Sequence, residues 1–185
     1  MDIQNKVKSH KAVIKEFAIY AVIVLTAFFV TRKYVGAGVI VEGSSMELTL
    51  QDRDRLIEEK ISYYLREPER YDVVIIDSPV EPNKYWVKRI IGLPGETLQI
   101  IDGSIYVDGR LLEDENYGTG SIDYLGVLEN PFTVPTGEYF LMGDNREGGE
   151  SWDSRYSAIG TITRDKIEGR VICRIFPFDS VGKIK

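Results

Sequence analysis

Residues 85–96 read Tyr85-Trp86-Val87-Lys88-Arg89-Ile90-Ile91-Gly92-Leu93-Pro94-Gly95-Glu96. Aromatic and β-branched residues dominate the first seven, and Gly-Leu-Pro-Gly then stops the run, so the stretch predicts a strand closed by a turn. Lys88 is its oddity, a cation among Trp86, Val87, Ile90 and Ile91. The same grammar continues on both sides. Upstream lie residues 73–76, all apolar, and Val39-Ile40-Val41. Downstream, residues 98–101 and 104–107 flank Asp102-Gly103, a two-residue hairpin signal, and Asp108-Gly109 repeats it. Residues 139–142 and 169–176 complete the set, while residues 52–66 read equally as strand plus loop or as a short helix. Residues 113–131, polar and Gly-rich, read as loop. Short strands with dense turns predict a mainly β domain, a folded antiparallel sheet or barrel-like body, in preference to βαβ units.

Upstream of residue 35 the character changes. Residues 17–31, FAIYAVIVLTAFFVT, contain no charge, and Lys15 on one side with Arg32 and Lys33 on the other can snorkel to headgroups. With the apolar residues around it the segment reaches the roughly 20 residues that a bilayer core needs. Residues 1–34 carry six lysines and arginines against two carboxylates, a net +4 that leaves −10 on the remainder. The lysines ahead of the span place the N-terminus inside by the positive-inside rule. No small-residue cleavage site follows the run, which argues against a removed leader, and no polar face marks it as a soluble core helix. The expected organisation is a cytoplasmic tail over residues 1–16, a transmembrane anchor over 17–35 and an extracytoplasmic domain over 36–185. Within that domain, about 97–140 reads as a smaller hairpin and loop insertion.

Composition excludes several chemistries. The chain of 185 residues has one histidine, His10, and one cysteine, Cys173. A Ser-His-Asp triad, a Cys-His dyad, a multi-His or Cys-rich metal site and an internal disulfide are all disfavoured, and no metal or cofactor is expected. The acidic body argues against nucleic acid.

Three stretches hold the remaining chemistry: Glu42-Gly43-Ser44-Ser45-Met46, the Lys88 strand, and Gly143-Asp144-Asn145-Arg146 with Ser151-Trp152-Asp153-Ser154-Arg155. Singly, each has an ordinary reading as a turn pair, a solvent-facing strand lysine and an Asx turn. Together, in a chain without a usable histidine, they describe a serine nucleophile with a lysine base. That chemistry needs an uncharged amine. Burial in an apolar strand lowers a lysine pKa towards neutrality, which suits Lys88 to the task.

The ordered set of Gly-Ser-Ser-Met-x-x-Thr-Leu, Tyr-Asp-Val-Val, Lys-Arg-Ile-Ile-Gly-Leu-Pro-Gly-Glu and Gly-Asp-Asn-Arg…Ser-x-Asp-Ser-Arg resembles the bacterial type I signal peptidases over nearly the whole chain. Its small size and single span resemble the Gram-positive branch. The resemblance implies a membrane-bound Ser/Lys protease of exported preproteins, with Ser45 as nucleophile and Lys88 as general base. It further implies that Gly43 contributes through its backbone at the oxyanion side and that Ser151 orients the amine. Asp144, Asp153 and Arg155 with Arg89 would form a charged network that holds the loops, and Asp72 would be structural. Substrate would add as an extended strand between walls built from Val39, Ile40, Val41, Tyr85, Trp86 and Val87. The partners are preproteins and membrane lipid, and oligomeric state is not legible.

The chain departs from the family pattern at four places. Leu48 stands where proline is usual, and Arg53 and Tyr71 stand where glycine is common. Four residues, 147–150, precede Ser151 where two are usual. These departures motivate an alternative, a catalytically weak membrane-tethered paralogue acting as a binding module. A cytosolic self-cleaving Ser/Lys regulator of the LexA-like kind shares the chemistry but lacks the anchor.

Overall fold

The computed structural model describes residues 2–113, 117–118 and 122–184, with the side chains of residues 2–12 and 148 outside that description. The side chain of His10 and part of the polar segment 113–131 therefore lie outside the described residues.

The chain divides into two compact units, Met1–Gly36 and Ala37–Lys185. The first is helix α1, Asp2–Val30, continued by a π-helical turn over Thr31–Val35. Val13–Val35, 23 residues, is long and apolar enough to cross a membrane. At 1.5 Å per residue this is roughly 34 Å, a little more than a hydrocarbon core. Phe17, Leu25 and Phe29 all expose more than half their surface, as a helix solvated by lipid would. The N-terminal helix fits a membrane anchor.

The second unit is built from antiparallel strands: β1 Gly38–Ile40, β2 Arg55–Glu59, β3 Val73–Asp77, β4 Tyr85–Gly92, β5 Thr97–Ile101, β6 Ser104–Val107, β7 Arg110–Leu111, β8 Phe132–Thr133, β9 Glu138–Met142, β10 Ile162–Thr163, β11 Ile167–Phe176 and β12 Gly182–Lys183. A short helix α2, Ser62–Leu65, follows β2, so residues 52–66 contain both of the elements between which the sequence left a choice. The larger sheet runs β1-β2-β11-β3-β4-β9-β10, with β12 also on β11, and the smaller one runs β7-β6-β5-β8. The mainly β, folded antiparallel architecture expected from the sequence is what the chain adopts.

Residue chemistry accounts for the main features. β3 is apolar at four successive positions because both faces are covered. Val74 and Ile76 pack with Tyr63, Ile90, Leu141 and Ile167, while Val73 and Ile75 pack with Val41, Met46, Leu50 and Leu56. Asp102-Gly103 and Asp108-Gly109 take positive φ at both central positions, the geometry of type I′ hairpins. The small sheet closes over a third cluster centred on Leu98, Ile105, Leu128 and Phe140. Gly92 sits where a Cβ would fall 2.6 Å from Leu98 Cδ1, so only glycine lets β4 pass beneath that cluster. Asp72 ties the entry to β3, accepting from Tyr63 Oη at 2.9 Å, Arg66 at 3.1 Å and Arg170 at 3.4 Å.

Register positions the site. β4 pairs with β3 over its first five residues, from Asp77–Tyr85 to Val73–Arg89. Its other edge pairs with β9 starting at Arg89–Met142. Lys88 is thus the first residue of β4 beyond the end of the β9 ladder, where the sheet opens.

Candidate active site

A cleft of about 930 Å³ opens where β4 loses its β9 partner. Val39, Ile40 and Val41 line it from β1 and its exit, and Tyr85, Trp86, Val87 and Lys88 line it from β4. Gly43 and Ser45 from the loop after β1, and Glu150 and Trp152 from the far side, complete its walls. Ser45 and Lys88 therefore share one cavity, together with the six residues read as substrate walls.

The serine loop is fixed from beneath. Met46 and Leu50 are buried with Leu56 and Val171, so the chain on the C-terminal side of Ser45 is anchored in the core. Asn145 holds the other side: its backbone N–H donates to Ser45 O at 3.1 Å, and its Nδ2 donates to Ser44 O at 3.2 Å. Thr49 Oγ1 donates to Asp144 Oδ2 at 2.5 Å. Neither Asn145 nor Thr49 was assigned a role from the sequence, although both stand inside the quoted motifs. Asn145 directly follows Asp144 and Thr49 is the polar residue between Leu48 and Leu50, four positions after Ser45, which is the signal that was available.

Gly43, expected to act through its backbone, has its N–H already engaged. Its N–H is donated to Asp52 Oδ1 at 3.0 Å, so that donor is directed at a loop carboxylate and away from an oxyanion. Its φ of 95° lies in the left-handed region, where a Cβ would be strained. The contribution of Gly43 is the turn that brings Ser45 round.

Lys88 retains 3% of its surface, with Nζ donating to Ser151 Oγ at 3.2 Å and lying 5.6 Å from the centre of the Trp86 ring. Burial lowers its pKa to about 8. Asp153 opposes that displacement, Arg155 adds to it, and Asp144 opposes it again. Desolvation wins because both carboxylates already have guanidinium partners. Asp153 is gripped by Arg155 through Nε at 2.9 Å and Nη2 at 2.8 Å, and it also accepts from Gly143 N at 3.2 Å. Asp144 is gripped by Arg89 through Nε at 2.8 Å and Nη2 at 2.6 Å. All four side chains are fully buried. Such bidentate pairs stabilise little in net terms after desolvation, but they fix orientation strongly.

Gly143 is the pinch point of this arrangement. A Cβ there would lie 2.2 Å from Ser151 Oγ and 2.3 Å from Ser45 O. The backbone of the serine loop and the hydroxyl beside the lysine are brought together across one glycine.

Among the sequence departures, Arg53 and Tyr71 have φ of 69° and 72°, the conformation glycine supplies without strain. Leu48 has φ of 92°, which proline cannot adopt, so this loop follows a path different from that of a proline-containing one.

Comparison with known proteins points to one family. The model of the family described as Signal peptidase, peptidase S26 matches residues 14–176. A probable signal peptidase I-2 from Synechocystis sp. is 41% identical over 157 residues, 82% of this chain and 68% of that protein. Signal peptidase I of Bacillus licheniformis is 34% identical over 186 residues, 97% of this chain and 98% of its own length. Signal peptidase I T of Bacillus subtilis is 37% identical over 170 residues, covering 89% and 86% respectively.

Proposed function

The chain belongs to the signal peptidase family, peptidase S26, and from that premise we propose that it removes N-terminal signal peptides from exported preproteins with Ser45 as nucleophile and Lys88 as general base. The observation that carries the assignment is that Lys88, only 3% exposed, lines the same cleft as Ser45.

Neutral Lys88 Nζ accepts the Ser45 hydroxyl proton as Oγ attacks the scissile carbonyl, and returns it to the leaving amine. The resulting acyl ester on Ser45 is hydrolysed by a water that Lys88 deprotonates. The tetrahedral oxyanion faces the Ser45 backbone N–H, since Gly43 N–H is already donated to Asp52. Ser151 Oγ holds the amine in line, and the Asp153–Arg155 and Asp144–Arg89 pairs hold the loops that present it.

The cleavage region enters as an extended strand. Two features favour this: β1 ends the larger sheet, and β4 over residues 85–88 has β3 on one edge and no β9 partner on the other. Residues 1–16 form the cytoplasmic tail, residues 17–35 the anchor and residues 36–185 the extracytoplasmic catalytic domain, in which the small sheet β5–β8 is inserted between β4 and β9, so the insertion read from the sequence as about 97–140 stops short of β9 at Glu138. This topology brings the cleft to the side of the membrane where exported chains emerge, and the lysines ahead of the span favour it.

The test uses the detergent-solubilised full chain and a preprotein with an Ala-x-Ala site. Wild type is expected to cleave it. Ser45→Ala and Lys88→Ala are each expected to lose at least about 10²-fold in kcat/KM. Equal cleavage by all three would remove the dyad. No cleavage by any would return the chain to a membrane-tethered binding module.

A further inference from the structure

Trp152 exposes 55% of its surface although its neighbours Ser151 and Asp153 are 0% and 1% exposed. Those two are locked by the Lys88 and Arg155 contacts, so the backbone of Trp152 has no freedom to withdraw the ring. The ring is also held from the side. It stacks on Tyr156 at 5.7 Å and 18°, and Tyr156 stacks on Tyr124 at 4.4 Å and 24°. Tyr156 Oη donates to Gly149 O at 3.3 Å, which ties the 147–150 loop to the same aromatic stack. That loop folds as a 3-10 turn over Glu147–Gly149 and delivers Glu150, exposed, to the cleft wall beside Trp152. An indole held out of the core and a carboxylate, both lining one cavity, are two kinds of group that attract a cation.

The chemistry says which part of the substrate meets them. The base returns its proton to the leaving amine, so the residue after the scissile bond passes Lys88 Nζ. Ser151 is bonded to that nitrogen, and Trp152 and Glu150 flank Ser151. Residues before the scissile bond lie instead along Val39, Ile40, Val41, Tyr85, Trp86 and Val87.

We infer that Glu150 and Trp152 form a product-side subsite that favours a cationic side chain within the first two residues of the released mature protein. This rests on the signal peptidase reading and extends it to a part of the substrate that the walls at β1 and β4 do not touch. The longer 147–150 loop then has a purpose: it carries the carboxylate to the cleft.

The test uses peptides identical through an Ala-x-Ala site that carry Lys, Ala or Glu at the first or second residue after it. Wild type is expected to prefer Lys over Glu by about five- to tenfold in kcat/KM. Glu150→Gln and Trp152→Ala are each expected to reduce that ratio to about twofold or less. Glu81→Gln, a second cleft carboxylate that is held by Lys84 and Trp86, is expected to leave the ratio intact. The same peptides titrated onto Ser45→Ala, which cannot acylate, give a binding readout independent of cleavage and are expected to keep the Lys preference. Equal affinity of Lys and Glu peptides there overturns the inference. So does a ratio that moves equally in Glu81→Gln, or variants that slow every peptide by one common factor. Binding that discriminates without cleavage of any peptide by wild type would leave this subsite standing and remove the proteolytic reading.

Discussion

Lys88 Nζ and Ser151 Oγ lie 3.2 Å apart with Lys88 3% and Ser151 0% exposed, so the amine is held by a neutral hydroxyl at a place where an ammonium is poorly hydrated. The hydroxyl sets where the amine sits, while burial sets how readily it loses its proton.

The first consequence is a pH profile. With the pKa of Lys88 at about 8, the competent neutral form is a minority at pH 7 and the majority at pH 9. The kcat/KM for a signal-peptide substrate is expected to rise about tenfold from pH 7 to a plateau near pH 9, with a midpoint near the Lys88 value. A profile that is flat from pH 6 to 9 with chemistry rate-limiting would rule out a titrating lysine base.

The same displacement acts on stability. A lysine lowered from 10.5 to about 8 on folding keeps its proton longer in the unfolded chain. The folded state therefore carries a penalty that is complete below about pH 8 and fades as pH rises through 10.5. Lys88→Met removes that penalty while keeping the volume. It is expected to abolish cleavage yet raise unfolding stability at pH 7, by at most about 3 kcal/mol. Denaturant unfolding of the two proteins at pH 7 measures it, and a destabilised Lys88→Met would show that the amine is held by more than burial.

Removal of the hydroxyl tests positioning apart from protonation. Ser151→Ala leaves the buried amine without its hydrogen-bond partner and free to swing. A loss of about 10²-fold in kcat is expected, of the size that small misplacements produce, and Ser151→Thr is expected to recover part of it. KM should change little, since Ser151 orients the base and the substrate walls are elsewhere. A loss confined to KM would make Ser151 a substrate contact.

Gly143→Ala places a methyl within 2.3 Å of both Ser45 O and Ser151 Oγ, and neither can retreat, the first being backbone and the second bonded to Lys88. The expected result is a loss of about 1–3 kcal/mol in stability together with near-complete loss of activity. Gly137→Ala is the comparison, because open space surrounds that position and its cost is conformational. Matched activities in the two variants would mean that the serine loop can rebuild around the methyl.

Much of this was legible in the chain itself. Apolar runs such as residues 73–76 and the Asp-Gly turns announced strands and hairpins because burial and φ dictate those residues. Lys88 stood out because a cation within an apolar strand has few explanations. β2 was obscured by its Glu58 and Glu59, carboxylates that the strand nevertheless carries, Glu58 at 4% exposure. β8, β10 and β12 are two residues long and leave no periodic trace. Pairing was hidden for another reason. Nothing local tells Asp144 to choose Arg89, 55 residues away, while Asp153 takes Arg155 two residues on. Trp152 and Glu150 went unnoticed as cleft residues because their placement depends on how the 147–150 loop folds.

Leu48 offers a test in which family habit and local geometry disagree. The usual residue at this position is proline, so Leu48→Pro is the substitution that restores the common pattern. The backbone here has φ of 92°, and a proline ring fixes φ near −65°, so the change must break the turn between Met46 and Leu50. That turn carries Thr49, whose hydroxyl is bonded to Asp144, and it begins one residue after Ser45. Leu48→Pro is therefore expected to lower activity about tenfold or more. Leu48→Gly, which relieves the left-handed strain and gives up a side chain that is 61% exposed, is expected to gain up to about 1 kcal/mol in stability with activity retained. Arg53→Gly, at φ of 69° with its side chain in solvent, should behave in the same way. A Leu48→Pro protein more active than wild type would mean that the serine loop takes the proline-compatible path after all, and the positions of Thr49 and Ser45 would have to be redrawn with it.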